Sequence, residues 1–286
     1  MFEKQFSSAH KSFIRRASFF LSLYAIIVLA GKPQAASGQG KEAPESLSGE
    51  RAGKIERRYA MLYGDELYEL IKERPLSWLP LGILEKHGAH LPWGLDGLKA
   101  YEVCLYLSER LGGVVLPANH LTGVHGDRRE DQTETEFREF HRSVGDFMYR
   151  EQTFRAFLDE TFEGLSNIGF KVIVAYTGHY PEIQTIILRE AAEAYTATGR
   201  ATVIPFWEPL ACGGGDHGGK WETSIYMALV PDGVRLDAIR DEKTGKAGYY
   251  RGQPVLKDTS LDLGRKALGM IEAYLTREVD RALNTN

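Results

Sequence analysis

Short apolar runs alternate with amphipathic segments from residue 59 to the end of the chain. Continuous apolar runs are typical of strands buried on both faces, and apolar residues at spacings of three and four are typical of helices packed on a sheet. The predicted strands are 78–84, 114–117, 170–176 and 201–206. The predicted helices are 65–73, 97–111, 151–168, 183–198, 224–229 and 261–282.

Strands that alternate with helices in this way predict βαβ units. Such units build a mainly parallel sheet between two layers of helices, so the predicted fold class is a three-layer α/β/α domain. The segment 122–147 does not follow the alternation. Its high charge density favours a solvated loop or helix face. The alternative is a lid or a subunit contact over the functional site.

The N-terminal residues differ in character from the rest of the chain. Lys11, Arg15 and Arg16 precede an apolar run over 17–31, and small residues follow it. This pattern predicts a secretory signal peptide over residues 1–36, with an uncleaved membrane anchor as the alternative. Residues 37–58 are typical of a flexible linker, so the folded domain is predicted to cover 59–286. We expect an exported protein, periplasmic or secreted, without stable membrane contact once the signal peptide is cleaved.

Composition narrows the class of protein. With 286 residues, 43% hydrophobic and 26% charged, the chain has an ordinary globular composition. A net charge of −4 and the lack of a basic stripe argue against nucleic-acid binding. The two cysteines, Cys104 and Cys212, are too few for a disulfide framework. Buried, unpaired thiols are favoured over a single bridge.

Polar residues suited to metal binding follow the first predicted strand. Glu85 and His87 are two residues apart, so their side chains point the same way on extended chain. Asp96 follows a turn that folds the chain back. Oxygen and nitrogen ligands without thiolate suit Zn²⁺, Mn²⁺ or a similar ion. His179 also follows a predicted strand, and parallel strands place such residues at the same edge of the sheet.

Three motifs resemble those of the creatininase (creatinine amidohydrolase) family. Residues 85–96 read E-K-H-G-A-H-L-P-W-G-L-D, where the family reads E-x-H-G-x-H-L-P-x-x-x-D. Residues 173–180 resemble the family's strand followed by Gly-His, and residues 216–224 resemble its H-x-G-x-x-E-T-S block. The motifs occur in the family's order. The resemblance covers the chain from about residue 59 to the C-terminus and implies a creatininase-like fold.

The resemblance also implies two divalent metal ions per chain, Zn²⁺ and/or Mn²⁺, with Fe²⁺ as a further candidate. In the family arrangement Asp96 bridges the two ions. Glu85 and His179 bind one ion, and His87 and one more glutamate bind the other.

The identity of that fifth ligand is left open between two residues. Creatininases proper carry a glutamate two residues after the motif histidine, where this chain has Pro181, with Glu182 one position later. Other relatives use the glutamate of the E-T-S block, here Glu222. The intact spacing favours Glu222, because a shift of one residue turns a side chain to the opposite face of extended chain. Glu182 then lines the substrate pocket.

His217 resembles the family's proton shuttle, and the predicted catalytic residues are His217 and Glu222. The alternative role for His217 is a hydrogen bond to the backbone. His90 is predicted to orient a ligand. The predicted substrate contacts are Glu182, Tyr180, Trp207 and Trp221. For the two tryptophans the alternative is packing in the core. Three histidines lie outside the motifs and are predicted to be surface or hydrogen-bonded residues: His120, His125 and His141.

The resemblance implies a hydrolase that acts on non-peptide C–N bonds. In such an enzyme a metal-bound hydroxide attacks the carbonyl of a small cyclic amide or formamide. The implied partners are this small-molecule substrate and further copies of the chain, as creatininases assemble into hexamers. One alternative is an exported metal- or ligand-binding protein on the same scaffold, without catalysis. A phosphoesterase is disfavoured, because no Gly-rich phosphate loop with a following lysine is present.

Overall fold

The structure is a computed structural model that describes residues 55–126, 131–239, 249–250 and 253–285. The predicted signal peptide and residues 37–54 of the predicted linker lie outside the described residues. The last linker residues contact the domain, since the Val115 amide donates to the Arg57 carbonyl at 2.8 Å. Among the helices of the described part, none is both long enough and apolar enough to span a bilayer.

Four parallel strands form the central sheet: β1 (Leu76–Leu81), β2 (Val114–Val115), β3 (Val172–Thr177) and β4 (Thr202–Phe206). Their order across the sheet is β2–β1–β3–β4. Strand β1 pairs with β3 from Leu76↔Val172 to Leu81↔Thr177, so both strands end at the same level. The parallel sheet predicted from the alternating pattern is confirmed. Strand β1 ends three residues earlier than predicted, where the chain turns towards the functional site.

Helices and one small ribbon complete the described part of the domain. The helices are α1 (Glu66–Glu73), α2 (Leu95–Leu111), α3 (Glu134–Val144), α4 (Glu151–Ile168), α5 (Glu182–Thr196), α6 (Pro209–Cys212), α7 (Lys220–Leu229), α8 (Val255–Asp258) and α9 (Leu261–Thr285). The antiparallel ribbon joins β5 (Tyr249–Tyr250) to β6 (Gln253–Pro254).

Alternating strand residues build two separate cores, one on each face of the sheet. Leu79 and Leu81 of β1 pack with α4 and α5 on one face. Leu76 and Trp78 of the same strand pack with α2, α7 and α9 on the other. This alternation follows from the two-residue repeat of a strand. It gives the three-layer α/β/α architecture expected from the sequence.

Two further expectations have clear outcomes. Cys104 and Cys212 are buried and unpaired, as favoured. The segment 122–147 contains helix α3. A capping box formed by Thr133 and Glu136 stabilises the start of this helix. The charged residues of this helix form the solvated face that was favoured, while Phe137 and His141 are buried on the other side.

The strand order fixes where a ligand can bind. From β1 the chain crosses to β2 on one side, whereas β3 and β4 lie on the other. In parallel α/β sheets such a reversal opens a crevice at the carboxyl ends of the two central strands. The crevice here lies after Leu81 and Thr177.

Candidate metal centre

Five polar side chains converge on this crevice from four parts of the chain. Each is at most 6% exposed, although carboxylates and imidazoles are rarely buried without a partner. They come from the loop after β1, the first turn of α2, the segment after β3 and the first turn of α7: Glu85 and His87, Asp96, His179, and Glu222.

Their donor atoms form two groups that share one carboxylate. Glu85, Asp96 and His179 form the first group, and His87, Asp96 and Glu222 form the second. Within each group the atoms lie within 4.8 Å of one another. This is the pairing of ligands that the family resemblance implies.

Backbone carbonyls orient the imidazole of each group. The Nε2–H of His179 points at the Val124 carbonyl at 3.2 Å, so Nδ1 faces Glu85 Oε1 at 2.9 Å. In His87 the Nδ1–H points at the Glu85 carbonyl at 3.1 Å, so Nε2 faces Asp96 Oδ1 at 3.0 Å. A carbonyl that takes the proton of one ring nitrogen leaves the lone pair of the other free for a metal.

The contacts of Asp96 show that these donors fit a cation. Both carboxylate oxygens of Asp96 and Nε2 of His87 are buried without an aligned hydrogen-bond partner. Lone pairs therefore face each other across about 3 Å, which is costly unless a proton or a metal ion lies between them. A divalent ion shared through Asp96 satisfies all three atoms.

Without a metal ion, the pKa shifts of the two imidazoles favour their protonated forms beside the carboxylates. Burial lowers the pKa of His87, but the charges of Asp96 and Glu222 outweigh burial and raise it to about 9. Burial acts in the same way on His179, where Glu85 and Asp96 raise the pKa to about 10. Burial raises the pKa of Asp96, yet the two imidazoles hold it well below its usual range. Metal binding here must displace protons.

The structure places Glu222, and not Glu182, with the other donors. Glu222 Oε2 lies 3.7 Å from His87 Nε2. Glu182 is exposed at the start of α5 and belongs to neither donor group. This geometry supports Glu222 as the fifth ligand.

Sequence reasoning missed Lys99, which lies on α2 one turn after Asp96. Its Nζ lies 2.7 Å from Glu222 Oε1 and 2.7 Å from Glu208 Oε1, and the side chain is fully buried. Burial lowers the pKa of Lys99, but Glu208 and Glu222 outweigh burial and raise it. A signal was available, because Lys99 stands between the apolar residues Leu95 and Val103, which face the core.

Asp216 fixes the start of α7 and with it the direction of Glu222. Its carboxylate accepts the amides of Trp221 at 2.8 Å and Glu222 at 3.1 Å. The Tyr180 hydroxyl donates to the Asp216 carbonyl at 2.9 Å. Burial and the charge of Glu222 raise the pKa of Asp216 to about 6.

Two glycines let the backbone of Asp96 sit between the ends of β1 and β3. A Cβ on Gly178 would lie 2.1 Å from the Asp96 carbonyl oxygen. A Cβ on Gly82 would lie 2.2 Å from the Gly97 nitrogen. Both distances are far below van der Waals contact, so any side chain would push Asp96 out of place.

His217 lies at the solvent side of the donor groups, with its side chain 48% exposed. Its Nε2–H donates to the Lys86 carbonyl at 2.9 Å, and Nδ1 lies 3.5 Å from Glu85 Oε1. The backbone hydrogen bond on one nitrogen leaves the other facing the site, so the predicted proton-shuttle role is compatible with this geometry and stays a prediction. His90 contacts the Thr223 hydroxyl at 3.1 Å, next to Glu222.

A cavity of about 610 Å³ opens from the donor groups to solvent. Tyr180 and Glu182 line it, as predicted for substrate contacts, together with Pro181. His125 and His141 also line it, which the sequence did not predict, because both residues lie outside the three motifs.

The structure does not bring Trp207 and Trp221 to this cavity. Trp207 follows the edge strand β4 and is buried, with the Arg189 guanidinium 5.6 Å from its ring. Trp221 packs with the core on the α2 and α9 side of the sheet. Both positions are compatible with the packing alternative, and the substrate contacts stay predictions.

Comparison with known proteins places this geometry in context. A family model described as creatininase, creatinine amidohydrolase, matches residues 60–270. A creatinine amidohydrolase from Pseudomonas putida is 28% identical over 197 residues, which cover 62% of this chain and 73% of that protein.

Solved structures give the same picture of the fold. A mutant creatininase described as Zn-Zn type has a TM-score of 0.58 at 19% identity, covering 80% of this chain and 98% of that one. A structure described as creatininase Mn has a TM-score of 0.58 at 19% identity, with coverage of 79% and 98%.

Proposed function

Because the chain belongs to the creatininase family, as its three motifs predict, we propose that it is a metal-dependent amidohydrolase. Family membership gives a hydrolase that acts on C–N bonds. We propose a small cyclic amide or formamide as the substrate.

The observation that carries this proposal is the pair of buried donor groups that share Asp96. Solved creatininases with Zn-Zn and with Mn support two divalent ions, Zn²⁺ and/or Mn²⁺, in such a centre. Glu85, Asp96 and His179 would hold one ion, and His87, Asp96 and Glu222 the other. Bound ions would supply a positive centre that polarises a carbonyl and lowers the pKa of water.

The residues around the centre supply the remaining functions. Nδ1 of His217 faces the centre from the solvent side, where an imidazole can give a proton to a departing nitrogen. Its Nε2–H stays on the Lys86 carbonyl, which fixes the orientation of the ring.

Tyr180 and Glu182 lie on the cavity wall, where they can contact a small polar substrate. Burial raises the pKa of Tyr180 well above its usual range, so the phenol stays neutral and keeps its proton. Export through the N-terminal signal and assembly into a homo-oligomer complete the proposal, and both rest on sequence expectations alone.

The test combines metal content with hydrolysis on the full chain. At the Asp96 centre we expect two metals per chain, one lost in Glu222→Gln and both kept in Glu182→Gln. The substrate panel holds creatinine, cyclic ureas, lactams, hydantoins and formamides. Turnover of any member, lost in Glu222→Gln, supports the amidohydrolase. Two bound metals without turnover across the panel would instead favour the binding protein without catalysis.

A further inference from the structure

A second cluster of metal-type side chains lines the same cavity as His217. It consists of His125 in the loop after β2, His141 on α3 and Asp146 just after α3. One donor atom from each residue lies within 4.8 Å of the others. None of the three belongs to the two donor groups that share Asp96.

The contact between His141 and Asp146 has the geometry of two neighbouring ligands. His141 Nδ1 lies 2.9 Å from Asp146 Oδ2, and both side chains are 11% exposed. This distance suits a hydrogen bond, and it equally suits two atoms that bind one ion at about 2.0–2.2 Å each. Gly145 ends α3 with a left-handed φ of 88°, which turns Asp146 back towards His141.

His125 is the member that a simple ion pair does not explain. Its ring stacks on that of His141, with centroids 4.2 Å apart. Its Nε2 is buried without a hydrogen-bond partner, and the side chain is 8% exposed. A hydrogen bond from His141 to Asp146 leaves this nitrogen without a hydrogen bond of its own, with Glu85 Oε2 3.5 Å away, and an unmade hydrogen bond is costly in a buried position.

We propose that His125, His141 and Asp146 bind a further divalent cation of the Zn²⁺ type, separate from the two at the Asp96 centre. Two imidazoles and one carboxylate are a common ligand set for zinc, and they leave a position open for water or substrate. To reach the ion, the His125 ring rotates out of its stack with His141, a motion that the broad χ2 preference of histidine allows.

An ion in this position would act on the same cavity as the main centre. His125 Nε2 lies 3.5 Å from Glu85 Oε2, and the edge of its ring contacts His179. The extra cation would therefore face a substrate from the wall of the cavity and select for substrates with an oxygen-rich or anionic group. This inference goes beyond the proposed hydrolysis and does not depend on it.

The test counts Zn²⁺ on the full chain after equilibrium dialysis, by elemental analysis. We expect three ions per chain in the wild type and two in Asp146→Asn and in His141→Gln. The matched control is Glu139→Gln, which replaces an exposed carboxylate on the same helix and should keep three ions. Circular dichroism checks that each variant keeps its secondary structure.

Glu222→Gln separates the two proposals. If both are correct, this variant loses an ion of the Asp96 centre and keeps the one that depends on Asp146. The further site would be overturned if Asp146→Asn bound as many ions as the wild type, whether that number is two or three. A wild-type count of one that Asp146→Asn abolishes would overturn the binuclear centre and keep the further site.

Discussion

The ammonium of Lys99 and the carboxylate of Glu222 form a fully buried ion pair, with Nζ 2.7 Å from Oε1. The pair leaves the second oxygen of Glu222 for the Gly218 amide at 2.7 Å and for the metal side of the crevice. Glu208, which also accepts the Tyr176 hydroxyl at 2.7 Å, completes the charge balance around Lys99. A buried positive charge thus positions a predicted metal ligand.

Replacement of Lys99 by methionine should destabilise the protein strongly. Removal of one partner from a buried ion pair costs about 3–5 kcal/mol, because the remaining charge stays buried. Lys99→Met leaves two carboxylates, Glu208 and Glu222, without their cation. Urea denaturation measures the free energy of unfolding. The double variant Lys99→Met/Glu208→Gln should recover part of the loss, and an equal loss in both variants would contradict this account.

Removal of metal should lower the thermal stability of the wild type. Three buried donor atoms of Asp96 and His87 lack aligned partners unless a cation binds. A ligand at 100 times its dissociation constant adds about 2.7 kcal/mol, which corresponds to roughly 5–10 °C in a domain of this size. Calorimetry with and without chelator checks this. Readdition of Zn²⁺ should restore the melting temperature, and a chelator without effect would contradict the metal centre.

His217→Asn should lower turnover while metal content stays the same. His217 is grouped with Glu85 and His87 but lies outside both groups that share Asp96, and as the exposed member it presents Nδ1 to the centre from the solvent side. Loss of a general acid typically lowers kcat by about 10²–10⁴-fold. Steady-state kinetics on any substrate found in the panel, together with elemental analysis, gives both readouts. Loss of metal in this variant would show that His217 acts as a ligand instead.

Neither cysteine should react with thiol reagents in the folded protein. Burial raises the pKa of Cys212 to about 12 and that of Cys104 well above its usual value. The thiolate is the reactive form, so labelling at pH 8 should be slow. Two thiols per chain should react once denaturant is added under non-reducing conditions. Fewer than two would indicate a disulfide.

Gly178→Ala should disrupt the centre, although no atom of Gly178 is predicted to bind a metal. The new Cβ would meet the Asp96 carbonyl oxygen at 2.1 Å and force β3 and α2 apart. We expect loss of bound metal and a lower melting temperature. Gly164→Ala is the matched control, because this exposed position on α4 has open space for a Cβ. It should stabilise the protein by roughly 0.5–1 kcal/mol.

The sequence predicted the fold because its apolar pattern is regular. Runs such as 170–176 have the length and the residues of a strand buried on both faces, and the flanking helices show clear periodicity. Element ends were less accurate. Helix α2 begins at Leu95 rather than at residue 97, so Asp96 lies within the first turn. Capping and turn geometry determine such ends, and apolar patterns do not record them.

The motifs led to the donor groups, but not to the residues that hold them in place. Lys99 and Asp216 act through contacts between distant elements, which no local pattern reveals. His125 and His141 are 16 positions apart and lie outside the three motifs. Only the packing of α3 over the crevice brings them together. For Trp207, the position after a strand does not show on which side of an edge strand the ring lies, so the sequence left substrate contact and packing both open.

The order of the strands has a consequence for how the protein is made. Glu85, Asp96 and His179 leave the ribosome well before Glu222, and β1 and β3 are neighbours in the sheet. Domains fold in part during synthesis, from the N-terminus onward. All three residues of one donor group therefore emerge from the ribosome before the last residue of the other. We expect the two donor groups to be completed in succession, the second only once α7 has been made.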